Sequence, residues 1–333
     1  MDNTLHWGII APGRIAHKFV QDLQLAGGNR LHAVASRSLQ RAQDFAAQYG
    51  ARHAFGSYEE MTGCPGLDVV YVASPHSSHL EHTLLCLKNK IPVLCEKPLA
   101  MNARQVRQMI TAARANDTFL MEALWTRFIP AFEKALEMVQ EGVIGRLKSM
   151  RADFGFKANF PPEHRLFNRA LGGGALLDVG IYPVFVALAF LGKPATVKAL
   201  AIFGETGVDE SCGMLFHYPG NGLAILDASI AVQTGTVAVL YGEKGTLQLN
   251  GRFHEPQELT LTLYDGNSSH LRMPFTGNGY YHEIMAVAEC LKQGKKESEK
   301  MPLDFSLQLM ELLDDIRRMA GITYPGMDEI AEL

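Results

Sequence analysis

Over roughly its first 125 residues the chain alternates short apolar, β-branched runs with helical patterns, and few folds satisfy that alternation. "LHWGIIA" reads as a strand and Arg14 to Leu25 as a helix; "LHAVAS" and Leu39 to Tyr49 repeat the unit. "HAFGS" is a short strand at best, and "DVVYVAS" is followed by a helix from His79 to Asn89. "PVLCEKP", a helix from Ala103 to Ala115, and "FLMEAL" close the series. Strands apolar on both faces, each followed by a helix, predict a parallel sheet covered on both sides. Ligands of such sheets lie outside the carboxyl ends of the strands. After Trp125 the pattern changes. A helix from Phe132 to Glu141 leads into "LKSMRADFGF", a Pro-rich loop, a glycine run and another helix. Beyond Pro194 the period becomes two, in "TVKALAIF", "SCGMLFHY", "LAILDASIAV", "TVAVLYG", "GTLQLN", "ELTLTLYD" and "HLRMPF". The turn signals "YPGNG", "GEKG" and "YDGNSS" separate these runs, which predicts one mainly antiparallel open sheet. Helices over Tyr281 to Lys292 and Asp304 to Met319 finish the chain. The expected organisation is an α/β dinucleotide-binding domain over 1–124 and an α+β substrate-binding domain over 125–333, with the cleft between them as the default site.

"WGIIAPGRIAHKF" follows the first strand and opens a helix. The dinucleotide fingerprint G-x-G-x-x-G/A, laid on Ala11 to Ala16, matches at Gly13 and Ala16 and has Ala11 in its first position. Gly13 would let the backbone approach a pyrophosphate, and the helix N-terminus would attract the anion. Ala11, Pro12, Gly13, Arg14 and Ile15 are then the candidate phosphate-loop residues of a Rossmann domain; the alternative is an ordinary strand-to-helix turn. At the end of the second strand, where an NAD enzyme often carries an acid, the sequence is "ASRSLQR". Ser36, Arg37 and Arg41 stand there, and the planar fork of arginine suits a 2′-phosphate, so NADP is expected over NAD. Both arginines as plain surface charges is the competing reading. Ser74, Pro75, His76 and His79 follow the fourth strand and are expected to line the cofactor wall. No third ligand with suitable spacing accompanies the two histidines, so no metal is expected there.

"VLCEKPLAMN" places Glu96 and Lys97 at the carboxyl end of a buried strand, before Pro98, where both are also candidates to contact the cofactor. "GGGALLDVGIYP" places Asp178 and Tyr182 four residues apart, on one face of a regular helix. Hydride transfer from an alcohol needs a base for the hydroxyl proton and a positive charge for the alkoxide. Tyrosine, with a free pKa of about 10, is a poor base until a nearby ammonium favours phenolate. Lys97 could serve Tyr182 in this way if the fold brings the two domains together. Asp178 is either a helix N-cap or the second member of a pocket-facing pair. The glycines are expected to let the chain pass close to the cofactor.

The stretches "WGI", "GSYEEM", "LCEKPLAMNA", "FLMEALWTRFIPA", "GGGALLDVGIYP" and "ETGVDES", in this order, resemble the glucose–fructose oxidoreductase/inositol dehydrogenase (Gfo/Idh/MocA) family nearly end to end. The resemblance implies a Rossmann domain followed by a large open antiparallel sheet, NADP(H), and catalytic roles at Lys97, Asp178 and Tyr182. It also implies a homodimer or higher oligomer through the exposed sheet. Much of that family has histidine where this chain has Tyr182; the branch acting on dihydrodiols has tyrosine. Trp125, Arg127, Phe128, Arg165 and Arg169 are candidates to shape the substrate pocket. For Trp125 and Phe128 core packing competes with that role, and for the arginines a surface or ion-pair role does.

With a net charge of −4 and no long basic run, nucleic acid is not an expected partner. The apolar stretch "PVFVALAFLG" is short of the roughly 20 residues of a membrane helix and reads as buried. "MDNTLHWGIIAPG" shows no basic leader, and five scattered cysteines without a C-x-x-C pair suggest reduced thiols, so a cytoplasmic protein is expected. The leading expectation is an NADP-dependent dehydrogenase of a cyclic trans-diol or aldose. A redox-neutral sugar-modifying enzyme with tightly held cofactor and a non-enzymatic dinucleotide sensor are the alternatives.

Overall fold

The computed structural model describes residues 4–220 and 222–328. Asn221, in the expected "YPGNG" turn, and the first three residues of the N-terminal stretch lie outside them. The chain forms two compact units: the first runs to Phe128 and includes Thr276–Leu307, and the second holds Ile129–Phe275 and the chain from Gln308.

The first unit is built on six strands, β1 (Leu5–Ile10), β2 (Asn29–Ala35), β3 (His53–Phe55), β4 (Val69–Val72), β5 (Val93–Glu96) and β6 (Leu120–Ala123). They pair in parallel in the order β3-β2-β1-β4-β5-β6, the Rossmann order. Every residue of β4 is fully buried, as a strand covered on both faces must be. Helices α1 (Arg14–Leu25), α2 (Leu39–Tyr49), α3 (Tyr58–Thr62), α4 (His79–Lys88) and α5 (Ala103–Ala115) connect the strands. On α1 the buried stripe is Ala16, Phe19, Val20, Asp22 and Leu23, a helical period.

Asp22 explains why a C-terminal segment belongs to this unit and why a single cut at 124/125 does not describe the compact bodies. Its carboxylate accepts from the backbone N–H of Asn278 at 2.7 Å and of Tyr281 at 3.0 Å. A fully buried acid is thereby satisfied at the start of the later helix Tyr281–Lys292. The backbone N–H of Leu120 donates to Lys296 O at 3.1 Å, pinning the end of the same segment.

In the second unit α6 (Pro130–Gln140) precedes β7 (Leu147–Gly155), and α7 (Ile181–Leu191) precedes β8 (Thr196–Phe203). Strands β9 (Asp209–Tyr218), β10 (Gly222–Ser229), β11 (Ala238–Gly242), β12 (Gly245–Leu249), β13 (Glu258–Leu263) and β14 (Ser268–Arg272) follow; α8 (Tyr281–Lys292) then belongs to the first unit, and α9 (Leu303–Ala320) begins in it and continues into the second. The sheet order is β14-β13-β12-β11-β7-β10-β9-β8. Pairing is antiparallel except for β7 with β10. Burial alternates along β9 to β11, so one face of the sheet is covered. The sequence ran the later strands in one series; the structure inserts the earlier β7 into their middle.

Over its apolar window the stretch Arg169–Leu191 reaches a mean hydropathy of 2.0, apolar enough by length and composition to cross a membrane, but non-helical glycines at 172–174 separate its short 3₁₀ turn from the π-helical turn and α7. With 83% of that window buried inside the protein, it is a core segment.

Candidate active site

In the first unit, the turn after β1 keeps the glycine conformation without the first glycine. Ala11 sits at φ 62°, in the left-handed region, and its N–H donates to Ala35 O at 3.0 Å. Gly13 is the extended N-cap of α1 and provides no side-chain cap, so the helix's first amides are left for another acceptor. A Cβ placed on Gly13 would meet only Ala11 O, at an ordinary 3.8 Å. Nothing in the chain itself demands glycine here; close approach of a ligand would. Arg14 is exposed at the helix start, beside Pro12 and Ile15.

Ser36 is buried, and its Oγ accepts from Ser38 N–H at 3.3 Å. Ser38 caps α2 through Arg41 N–H. Arg37 and Arg41 are both exposed at that helix start, and neither has a carboxylate partner among the described residues. Burial pushes the neighbouring Tyr58 phenol up, against the Arg37 charge, which places Arg37 beside that ring. Two cations without carboxylate partners among the described residues, and no acid at the end of β2, are what a 2′-phosphate needs. Arg37→Ser should weaken NADPH binding roughly 10–100-fold, the worth of one charged hydrogen bond, and leave NADH binding nearly unchanged in a fluorescence titration.

The expected cofactor wall divides by role. Ser74 is buried, its Oγ 2.9 Å from His82 Nδ1. His76 is buried after Pro75, with its ring 5.7 Å from that of His79. His79 is fully buried, with Nδ1 2.8 Å from Pro98 O and Nε2 2.9 Å from Ser74 O. Burial lowers its pKa to about 4 against those two carbonyls. Its place is therefore behind the wall, clasping the Ser74 loop to the turn at Pro98.

That turn carries Lys97 at the carboxyl end of β5. Glu96 and Lys97 are half-buried, and the Lys97–Pro98 peptide is cis. Glu96 accepts the Tyr71 hydroxyl and, at 3.2 Å, the Lys97 backbone N–H. Tyr71 is fully buried, stacked on Phe19 at 3.8 Å, and its pKa is raised well above 10 by burial and then by Glu96. Leu99 N–H donates to Glu122 Oε1 at 2.9 Å. Three side chains from β4, β6 and α4 thus fix the backbone around Lys97 without using its ammonium. Glu283 on α8 is also fully buried, and burial and then the charges of Glu96 and Asp22 push its carboxyl well up. Sequence reasoning missed Tyr71, Glu122 and Glu283; the visible signal was a polar residue inside an apolar run, as in "VVYVAS" and "FLMEAL".

Burial pushes the Glu122 carboxyl up to about 7, against the Leu99 N–H bond and the Lys97 charge. Asp209 in the second unit is likewise raised to about 7 by burial, against the Leu176 N–H. Each proton is held more tightly in the folded chain than in the unfolded one. The stability this contributes is complete below the ordinary carboxylate range and is lost as pH rises toward 7. The melting temperature should therefore fall between about pH 5 and pH 8, and Glu122→Gln should flatten that slope in a calorimetric pH series.

Trp125 and Phe128 lie in the interior on a short 3₁₀ turn, the Trp125 ring stacked on Tyr280 at 4.7 Å, with Arg127 half-buried between them in sequence. This is the core packing the sequence had set against ligand contact.

In the second unit the glycine run serves its own loop. A Cβ on Gly173 would lie 2.5 Å from Arg165 O and 2.6 Å from Leu166 O, and Gly174 takes φ 123°. Tyr324 donates to Gly173 O at 3.0 Å, and the buried Asp209 accepts Leu176 N–H at 2.7 Å. Gly173 and Gly174 are thus required by packing within the unit.

Leu176–Gly180 is a π-helical turn running into α7. Such widened turns concentrate at functional sites. Asp178 lies inside it and is no N-cap, and the i,i+4 argument of a regular helix does not carry across it. Asp178 is buried and accepts from Arg165 Nη1 at 2.9 Å. Arg169 is tied elsewhere, donating to Thr323 O at 3.2 and 2.8 Å and to Thr323 Oγ1 at 2.8 Å, a structural bond rather than an open substrate contact. The Tyr182 ring is buried against Phe154 at 5.6 Å and His254 at 5.1 Å. Sequence reasoning did not single out His254, which follows an isolated loop phenylalanine.

Residues 5–124 match the family model described as an oxidoreductase family with an NAD-binding Rossmann fold. Residues 132–248 match the GFO/IDH/MocA C-terminal domain. The chain is 39% identical over 330 residues to trans-1,2-dihydrobenzene-1,2-diol dehydrogenase of Danio rerio, covering 96% of this chain and 98% of that protein. It is 38% identical to the Homo sapiens protein of the same description, covering 97% and 98%. Among solved structures it superposes on a 3-ketoreductase from Actinomadura kijaniata in complex with NADP and TDP-benzene, with TM-score 0.85, 26% identity and coverage of 96% and 98%. An aldose-aldose oxidoreductase from Caulobacter crescentus complexed with glycerol shares the fold, with TM-score 0.87 at 24% identity and the same coverage.

Proposed function

The chain belongs to the GFO/IDH/MocA oxidoreductase family, and from that premise we propose that it is an NADP-dependent dehydrogenase of a cyclic trans-diol or an aldose. The observation that carries this reading is the clamped turn that presents Lys97 at the carboxyl end of β5, the ligand edge of a Rossmann sheet. The dihydrodiol dehydrogenase relatives and the NADP complex of the ketoreductase support the substrate class and the coenzyme. The coenzyme fits the residues present: an uncapped α1 start at Gly13, and Arg37 and Arg41 without carboxylate partners.

When bound, NADP supplies the acceptor for the carbinol hydride, and NADPH the donor in the reverse direction. Tyr182 takes the hydroxyl proton at its phenol oxygen. The Lys97 ammonium favours the phenolate and steadies the developing alkoxide. Asp178, held by Arg165, orients the substrate or Lys97. The second unit is proposed to bind substrate. It is also proposed to form a homodimer through its sheet, where Leu200 and Ile202 on β8 are 80% and 70% exposed. Five free, buried cysteines suit a reducing cytoplasm.

The test is a screen at the NADPH absorbance band, with NADP and NAD each offered against aldoses, inositols and cyclic trans-diols. Net NADPH with a free diol or sugar is the expected outcome. No net reduction with any of them, or a strong NAD preference, overturns the reading.

A further inference from the structure

In the first unit two imidazoles and a thiol converge. His32, His53 and Cys64 each offer a ligand atom, and these atoms lie within 4.8 Å of one another. His32 and Cys64 are buried and His53 is partly exposed. We propose that these three residues form a binding site for a zinc-like divalent transition-metal cation, with solvent as the fourth ligand.

The donor set selects the ion. Two imidazole nitrogens and a sulfur suit zinc or cobalt and not the oxygen-seeking magnesium or calcium. A tetrahedral site with metal–nitrogen bonds of about 2.0–2.1 Å and a metal–sulfur bond of about 2.3 Å needs donors roughly 3.3–3.7 Å apart. Closing from 4.8 Å asks about one ångström of the ligands. Two of the three can give it: Cys64 lies in the connection between α3 and β4, and His53 opens the three-residue edge strand β3.

The backbone aims the third. The β1–β2 register steps from Trp7–Leu31 to Gly8–Ala33, leaving His32 as the extra residue of a bulge. Bulges re-aim side chains. His32 Nε2 is 3.0 Å from Pro65 O, the backbone-carbonyl partner that commonly fixes the tautomer of a metal-bound histidine. The rings of His32 and His53 are 4.9 Å apart, and His6 stands against His32 at 4.8 Å. His6 is held in turn by Asp68, 3.6 Å away.

The ion would tie the edge strand to β2 and to the loop before β4. His53 begins β3, whereas Lys97 follows the end of β5, so bound metal should stabilise the unit and leave turnover unchanged. The experiment uses the full chain, stripped with chelator. Zinc is titrated by calorimetry and cobalt by absorbance. One equivalent of each should bind, with a thiolate-to-cobalt band in the near ultraviolet and a zinc-dependent rise in melting temperature. Cys64→Ser and His53→Gln should each weaken binding by more than the roughly 10–100-fold that loss of an outer partner causes. NADPH binding by each variant verifies its fold, and the partly exposed His53 keeps the test open if Cys64→Ser misfolds. Absence of stoichiometric binding, or zinc affinity undiminished in the folded variants, overturns the proposal.

Discussion

Lys97→Met should cut turnover on the order of 10³-fold while NADPH binding stays essentially as in the wild type. The expectation of a clean loss comes from how the turn is built. Glu96 takes the backbone N–H of Lys97, Glu122 takes that of Leu99, and His79 meets the carbonyl of Pro98. None of these bonds uses the lysine ammonium, so removing it should leave the backbone in place. Methionine keeps the length and apolar stem of the side chain and deletes only the charge. Stopped-flow absorbance at the NADPH band gives turnover, and fluorescence titration gives coenzyme affinity. Wild-type rates in a variant that still binds NADPH would remove Lys97 from the proposed mechanism. A joint loss of turnover and coenzyme binding would instead place it in the coenzyme site.

Alanine at Gly173 and at Gly13 should have opposite effects. At Gly173 the new methyl would meet two backbone carbonyl oxygens, Arg165 O at 2.5 Å and Leu166 O at 2.6 Å, and backbone cannot turn away as a flexible side chain does. A destabilisation of about 3 kcal/mol is expected, the upper part of the range for overpacking, with a fall in melting temperature of roughly 6–12 °C. At Gly13 the methyl meets only Ala11 O at 3.8 Å, so the fold should be unaffected. Its effect should appear in coenzyme affinity, because the methyl occupies the space a pyrophosphate would need. Calorimetry and NADPH titration on both variants separate the two kinds of glycine. Equal melting temperatures for Gly173→Ala and wild type would contradict the packing described around "GGG".

The fold was legible wherever a local period carried it. The strand–helix units from Leu5 to Ala123 and the two-residue period after Pro194 each translate into elements within a few residues of those expected. Neighbour relations were not legible in the same way. The place of β7 between β10 and β11 depends on which hydrophobic faces meet, and no local pattern records that. The same holds for Thr276–Leu307, which joins the first unit through the buried Asp22.

The sequence by itself determined the chemistry on offer: a lysine at a strand end before Pro98, an acid and a phenol after three glycines, and arginines where an NAD enzyme would carry an acid. Tertiary structure decided what each group is held by. It paired Asp178 with Arg165, turned Arg169 to Thr323, and put His79 behind the Lys97 turn. It also replaced the regular helix assumed for Asp178 and Tyr182 with a π-helical turn. The physical reason is range. Periodicity and turn chemistry act between residues a few positions apart, whereas buried polar groups must find partners wherever the packed chain supplies them.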